Sequence, residues 1–431
     1  ALNTAAQLPG EQPYEAEPWL YAGTEVIASP YVVSDEVVDW VLVEIRTDEE
    51  TPFAQRAGRL LKSGVVVVDF DGIVEDGDDP YYVVVYHRNH IPVMSSAPIT
   101  IPSTGTSYDF TELANVYGEG AVMVDAGVYA MPAGDVNNDG RLQYSGPGND
   151  RGPILDTIYK TATPPVFINT ILTDGYWLYD TDLNNEVSYI GGPNDRAVII
   201  ANIGELLNTT LLTAIYESVV PGTVLTQRQY VEPNGPVSIR LAAASDGFGA
   251  MLRTNDPLKD GMLDNLQFTL AWYANDPDVT EAIASHSSDY MLQPQGEPVT
   301  IDGINYQVFA TAIPVSLPLH WEANEQLRVL WFNVPGLYHS SRLWIADDAF
   351  TSQNNGMYYV SIWGSDHTGE VEQTVVSMGS TDDDNSFRVY PNPLTESILM
   401  VEYSGLVQQV LQIALYDATG KRVLHTRINA N

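Results

Sequence analysis

Leu266-Gln267-Phe268-Thr269-Leu270-Ala271-Trp272 sets a large apolar residue at every second position, with small or polar residues between. Successive side chains of a strand point to opposite faces, so this period predicts a strand with one buried face. The stretches around it agree. Ser238-Ile239-Arg240-Leu241, Tyr306-Gln307-Val308-Phe309, Leu327-Arg328-Val329-Leu330-Trp331 and Tyr358-Tyr359-Val360-Ser361-Ile362 are short and rich in β-branched or aromatic residues. Asn354-Asn355-Gly356 is expected to turn a tight hairpin ahead of the last of them. Strands at this density predict an antiparallel β-sandwich over 208–376.

Further upstream, Val37-Val38-Asp39-Trp40-Val41-Leu42-Val43-Glu44-Ile45, Val65 to Val68 and Tyr81 to Tyr86 read as strands too. They are separated by Lys62-Ser63-Gly64, Asp71-Gly72 and Asp76-Gly77-Asp78-Asp79-Pro80, which are turn sequences. A second antiparallel sandwich, of immunoglobulin or jelly-roll type, is therefore expected over 1–131, with Ala54 to Leu61 as a short helix. Residues 377–386 carry Ser, Gly, Thr, Asn and three consecutive Asp without apolar periodicity, and are expected to be an acidic linker. The fold class that results is mainly β and multidomain.

At 431 residues the chain exceeds one ordinary domain, and 44% hydrophobic residues suffice for sizeable cores. Lys and Arg number 19 against 56 Asp and Glu, a formal charge of −37. Such a surface repels nucleic acid and anionic lipid and suits cations, although a saline habitat also selects acidic surfaces. The chain has no Cys, which excludes disulfides, thiolate metal sites and thiol nucleophiles. No run of 18 apolar residues is present, so no transmembrane segment is expected. The chain opens at Ala1 without Met or a signal-peptide pattern, which suggests a mature or trimmed product.

Between the two strand-rich regions lies a repeat. Asp135-Val136-Asn137-Asn138-Asp139-Gly140-Arg141-Leu142 places oxygen side chains at loop positions 1, 3 and 5, then a turning Gly. That is the first half of a calcium loop, in which position 7, Arg141, offers its backbone carbonyl. Forty-five residues on stands Asp180-Thr181-Asp182-Leu183-Asn184-Asn185-Glu186-Val187. The same offset carries Tyr144 to Tyr189, Gly146 to Gly191, Asn149-Asp150-Arg151 to Asn194-Asp195-Arg196, and Ile154-Leu155 to Ile199-Ile200. A gapless match of this length is an internal duplication. Asn185 replaces Gly140, and Asn tolerates a left-handed backbone well. Two calcium sites are expected. Asp135, Asn137, Asp139, Arg141 and Asp150 would form one, and Asp180, Asp182, Asn184, Glu186 and Asp195 the other. Asp150 and Asp195 would close the loops late, after an inserted Gly/Pro turn. Each also stands where a helix N-cap is expected, ahead of apolar residues.

The paired loops over 132–207 resemble a dockerin, the duplicated calcium module that docks into a cohesin β-sandwich. The extended closing turn departs from that family, which bears on partner docking more than on calcium. The 208–376 sandwich is loosely similar to a cohesin, so the module could pack upon it within one chain. Residues 387–431 open with Phe387-Arg388-Val389-Tyr390-Pro391-Asn392-Pro393 and continue through Leu411-Gln412-Ile413-Ala414-Leu415-Tyr416 to Asp417-Ala418-Thr419-Gly420-Lys421-Arg422-Val423. This string resembles the C-terminal sorting domain of type IX secretion cargo, a small β-sandwich. Members usually continue with a further G-x-Y strand and a basic end, whereas this sequence stops at Asn431. The resemblance implies export across the outer membrane by the type IX machinery, followed by surface attachment or release. His87-Arg88-Asn89-His90 and the strand from Val38 to Glu44 are also similar to modular surface proteins that carry such tails.

Other constellations are weaker. His87 and His90, three apart in extended chain, would point to opposite faces and share no metal. No H-E-x-x-H, G-x-S-x-G or phosphate-cradling Gly loop is present. Trp272, Tyr273, Trp321, Trp331 and Trp363 could stack on sugars but are expected in the core. Asp69, Asp71, Asp76, Asp78 and Asp79 could form another cation site or, equally, a solvated acidic turn. The expected function is that of a secreted, calcium-binding, adhesin-like or structural surface protein without catalysis. Its partners would be the secretion machinery and, at the surface, other proteins, glycans or copies of itself. The alternatives are a self-assembling fibre subunit, or a polysaccharide-degrading enzyme or its noncatalytic fragment.

Overall fold

The strand Met262–Tyr273 organises the largest sheet. It pairs antiparallel with Ile304–Thr311 along one edge and with Leu343–Ala346 and Tyr359–Ile362 along the other. The computed structural model describes residues 8–26, 37–74, 79–164, 166–223, 235–244, 247–259, 261–318, 320–332 and 343–372. It also describes the backbone of the strands 386–390, 400–404, 410–416 and 422–429. Strand makes up 39% of the chain and helix 13%, so the protein is mainly β.

The alternation from Leu266 to Trp272 works as expected on one face. Leu266, Phe268, Leu270 and Trp272 are fully buried against Ile239, Leu252 and Leu330, which come from a second, four-stranded sheet. Gln267 and Thr269 on the other face are also fully buried, not solvated. Gln267 Nε2 donates to Asn355 O at 2.7 Å, and Thr269 Oγ1 donates to Gly356 O at 2.6 Å. Asn354-Asn355-Gly356 is therefore not the expected hairpin turn. It follows the short helix Ala349–Gln353, with Asn355 left-handed at φ 48. From there the Asn355 amide donates to Ser145 O at 2.9 Å and to Thr213 O at 3.0 Å, tying the sheet to the repeat.

The repeat has its own apolar core. Leu142, Tyr144, Ile154 and Leu155 from the first copy meet Val187, Tyr189 and Ile199 from the second. The helices α1 (Arg151–Thr161) and α2 (Asp195–Leu207) follow the two loops. The core runs past the expected edge at 207, because Ile215–Glu217 pairs with Arg141–Gln143 and buries Tyr216.

In the N-terminal region one antiparallel five-stranded sheet runs in the order Val66–Val67, Pro52–Leu61, Val37–Arg46, Tyr82–His87, His90–Met94. Trp40 and Leu42 pack under Leu8, Tyr14 and Tyr21 of the irregular N-terminal chain. Val41, Val43 and Ile45 pack with Phe70 and Tyr81 on the opposite face. Among the described residues this sheet is covered by irregular chain and by the short hairpin Val122–Asp125 and Val128–Ala130, rather than by a second full sheet. The expected helix from Ala54 to Leu61 is the strand Pro52–Leu61. Its Ala, Arg and Leu residues favour helix locally, but a ladder along nearly all of Val37–Arg46 overrides that preference.

Trp272, Trp321 and Trp331 are buried as expected, whereas Tyr273 is 45% exposed against Trp344 and Trp363 stacks on Tyr159 of α1. In the tail, Ser386–Tyr390 pairs with Met400–Ser404, and Val410–Tyr416 with Arg422–Asn429, all antiparallel. The expected linker lies outside the described residues except for Ser386, as do Asp76 and Asp78 of the acidic turn.

Candidate metal centre

Each loop is wound around its own first acid. The Asp135 carboxylate accepts the N–H groups of Asp139 at 3.0 Å and Gly140 at 3.1 Å. The Asp180 carboxylate accepts those of Asn184 and Asn185, both at 3.0 Å. Position 3 accepts the N–H of position 5, at 3.0 Å for Asn137 and 3.2 Å for Asp182. Position 5 accepts the N–H of position 7, at 3.0 Å from Arg141 to Asp139 and 2.8 Å from Glu186 to Asn184. Asn138 and Leu183 have φ 56 and 55, Gly140 and Asn185 have φ 78 and 79. The duplication in sequence is thus a duplication of backbone. Asn185 stands in for Gly140 because it occupies the left-handed region at little cost.

The closing acids divide their work with the residue before them. Asp150 accepts the N–H of Val136 at 3.1 Å and of Gln143 at 2.8 Å. Asp195 accepts the N–H of Thr181 and Ser188, both at 2.7 Å. Both carboxylates are therefore turned into the loops. Capping belongs instead to Asn149 and Asn194, which accept the N–H of Gly152 at 2.8 Å and of Ala197 at 3.1 Å. The expected helix-cap role of Asp150 and Asp195 is corrected accordingly. An Asn-Asp pair lets one residue start the helix while the next faces the loop centre.

One oxygen from each of Asp180, Asp182 and Asp195 lies within 4.8 Å of the others. Calcium binds oxygens at about 2.3–2.6 Å, so opposite ligands stand about 5 Å apart and the three atoms fit around one ion. Among the described residues no other cluster of three acids or histidines is so tight. In the first loop Asp139 leans toward Arg141 at 3.8 Å, and Arg141 also reaches Glu217 at 3.2 Å. The Arg141 side chain is spent on those carboxylates, and Glu186 is exposed, so position 7 has only its carbonyl to offer in either loop.

Burial pushes the Asp135 and Asp150 carboxyls well above the usual range, and repulsion from Asp139 on Asp135 and from Asp135 on Asp150 adds to it. Asp139 is raised to about 6 by burial against the pull of Arg141. Burial likewise raises Asp180 to about 6 and Asp195 to about 7. Desolvated carboxylates of this kind favour a proton or a cation. A divalent ion in each loop would offset the burial of that loop's carboxylates together.

Two supports of the centre escaped the sequence. One is Asn355. The other is the corner Arg88-Asn89, which joins the strands ending at His87 and starting at His90. Because the corner is a two-residue turn, His87 and His90 do not diverge as expected. Their Nδ1 atoms meet at 2.8 Å. Asp39 accepts Arg88 Nε at 3.2 Å and Tyr176 Oη at 2.6 Å, and lies 3.1 Å from His87 Nε2. Burial would raise its carboxyl, but Arg88 and His87 outweigh that and hold it well below the usual range. His90 is buried and held neutral. The fourfold string His87-Arg88-Asn89-His90 was the only sequence signal of this corner.

Residues 388–431 match the model of the secretion system C-terminal sorting domain. The chain thus carries a type IX secretion sorting tail, which makes the protein a secreted cargo of that system. Such a tail directs interaction with the secretion machinery, export, and then release or attachment at the cell surface. No curated protein and no solved structure matches the chain. Among the described residues no helix is long and apolar enough to cross a membrane.

Proposed function

We propose that this cargo is a calcium-stabilised, adhesin-like structural protein of the outer cell surface, which acts by binding rather than by turnover. The observation that carries the calcium assignment is the convergence of Asp180, Asp182 and Asp195 within 4.8 Å. The same hydrogen-bonded skeleton around Asp135, Asn137, Asp139 and Asp150 supports a second site. The residues present suit a hard cation, since they offer only oxygens and the chain has no Cys. In this reading Asp135, Asn137, Asp139 and Asp150 hold one ion with the Arg141 carbonyl. Asp180, Asp182, Asn184 and Asp195 hold the other with the Glu186 carbonyl. The ions hold the loops closed, and the closed first loop keeps the large sheet covered. The adhesin-like role rests on the sorting tail together with a mainly β chain stiffened in this way. Calorimetric titration of the chelator-treated chain tests the calcium assignment. Two calcium ions per chain are expected, one after Asp182→Ala, and none after Asp139→Ala with Asp182→Ala. A titration without binding in the unaltered chain would overturn it.

A further inference from the structure

One residue of the N-terminal sheet touches the entrance of both loops. Asn89 is fully buried at the corner between His87 and His90. Its carbonyl accepts the N–H of Gly134, next to Asp135, at 2.8 Å. Its amide donates to Leu178 O at 2.7 Å and to Asp180 O at 2.8 Å. Its Oδ1 lies 2.8 Å from His90 Nδ1 and 3.2 Å from His87 Nδ1, which fixes the side chain. The neighbouring chain follows suit. Ile91 N donates to Pro132 O at 2.8 Å, and the Arg88 guanidinium donates to Trp177 O and lies 4.5 Å over the Tyr176 ring. Asp135 and Asp180 are the first acids of their loops, so a corner from outside the repeat fastens both beside or at those acids.

We propose that Asn89 is a positioning residue that couples the two calcium loops. The proposal rests on the calcium assignment above. Each loop, when closed around its ion, fixes the backbone just before or at its first acid. In the first loop that backbone is Gly134, held by the Asn89 carbonyl. In the second it is Asp180, held by the Asn89 amide. Closing either loop therefore orders the same corner, and the other loop then closes onto an anchor already in place. Coupling of this kind needs no contact between the ions, only a shared element ordered once. The same bonds make docking of the N-terminal sheet depend on calcium.

The test compares stepwise calcium affinities of the full chain by calorimetric titration. The second ion is expected to bind about tenfold more tightly than a single ion binds to Asp139→Ala or to Asp182→Ala, a usual size for coupling between sites. Asn89→Asp keeps the shape but turns a donor into an acceptor facing two carbonyls. It should bind two ions independently, each with the affinity of the single-loop variants. Should Asn89→Asp not fold, hydrogen exchange on Asp139→Ala decides: calcium in the second loop alone should raise protection of the Gly134 and Ile91 amides. Two ions bound independently by the unaltered chain, or no change at Gly134 and Ile91, would overturn the coupling. A chain that binds no calcium at all would instead overturn the underlying assignment.

Discussion

The two loops share a skeleton and differ in what surrounds it. Around 135–150 the closing turn is buried: Ser145 is fully covered and Asn149 is 4% exposed. Ser145 Oγ donates to Asn265 Oδ1 at 3.0 Å, Tyr144 Oη donates to Ala312 O at 3.3 Å, and Arg151 Nη2 donates to Thr311 O at 3.3 Å. Around 180–195 the residues corresponding to Ser145 and Asn149, Ile190 and Asn194, are half-buried, Gly191 is exposed where Gly146 is buried, and the entrance is held by Arg88 and Asn89. The motif therefore dictates the local turn, while tertiary contacts decide how firmly the turn is held without help. The first loop is a keystone between two cores. The second is open on its closing side, and in the proposed calcium reading it would depend more on its ion.

The largest difference should come from the closing acids. Asp150→Ala strands the buried N–H groups of Val136 and Gln143, each at a cost of about 1–3 kcal/mol. It also loosens the cover of Gln267 and Thr269. Urea unfolding should show a loss of about 3 kcal/mol or more, distributed over the repeat and the large sheet. Asp195→Ala strands Thr181 and Ser188 in the same way, yet its damage should stay within the second loop, α2 and the Asn89 corner, and spare the large sheet. Hydrogen exchange separates the two outcomes. Equal spread from both variants would break the comparison.

Next in size is Asn355→Ala, which removes the amide bridging Ser145 and Thr213 and puts Ala, less tolerant of the left-handed region than Asn, at φ 48. A loss of about 2 kcal/mol is expected, with the calcium affinity of the second loop unchanged. Limited proteolysis in chelator should cut 182–194 before 137–149, and the opposite order would show the first loop to be the weaker.

The pH dependence sharpens the same point. Asp180 and Asp195 are raised to about 6 and about 7, above an unfolded value of about 3.9. Folding thus favours the protonated form. Its contribution is fully present below the unfolded value and is lost as pH rises through 6 to 7. Calcium-free protein should melt at a lower temperature at pH 7.5 than at pH 5, and calcium should raise the melting temperature more at pH 7.5. The smallest effect belongs to Lys160→Ala, which removes an exposed i,i+4 pair with Asp156 at 2.7 Å. It should cost no more than about 0.5 kcal/mol.

What the sequence revealed follows the range of the interactions involved. The repeated turns at 135–142 and 180–187 were legible because their turn chemistry is local, and so was the core face of Leu266 to Trp272. The burial of Gln267 and Thr269 was not, because it arises from Ser145 and Asn355, distant in sequence and joined only by folding. Ala54 to Leu61 misled for the same reason: a helical composition lies beside a long strand that claims it. His87 and His90 needed knowledge of the turn between them. Asn149 and Asp150 were indistinguishable as caps until the carboxylate could be seen facing Val136 and Gln143.

The central claim is that calcium holds the repeat closed, and scanning calorimetry of the full chain tests it most directly. One sample contains millimolar calcium and the other a chelator, both at pH 7.5. An ion at about 100 times its Kd stabilises the folded state by about 2.7 kcal/mol per site. The account predicts a higher melting temperature in calcium, a shift reduced by Asp139→Ala or Asp182→Ala singly and abolished by the two together. Superimposable melting curves in calcium and chelator would contradict it, and would leave Asp135–Asp150 and Asp180–Asp195 as hydrogen-bonded turns that need no ion.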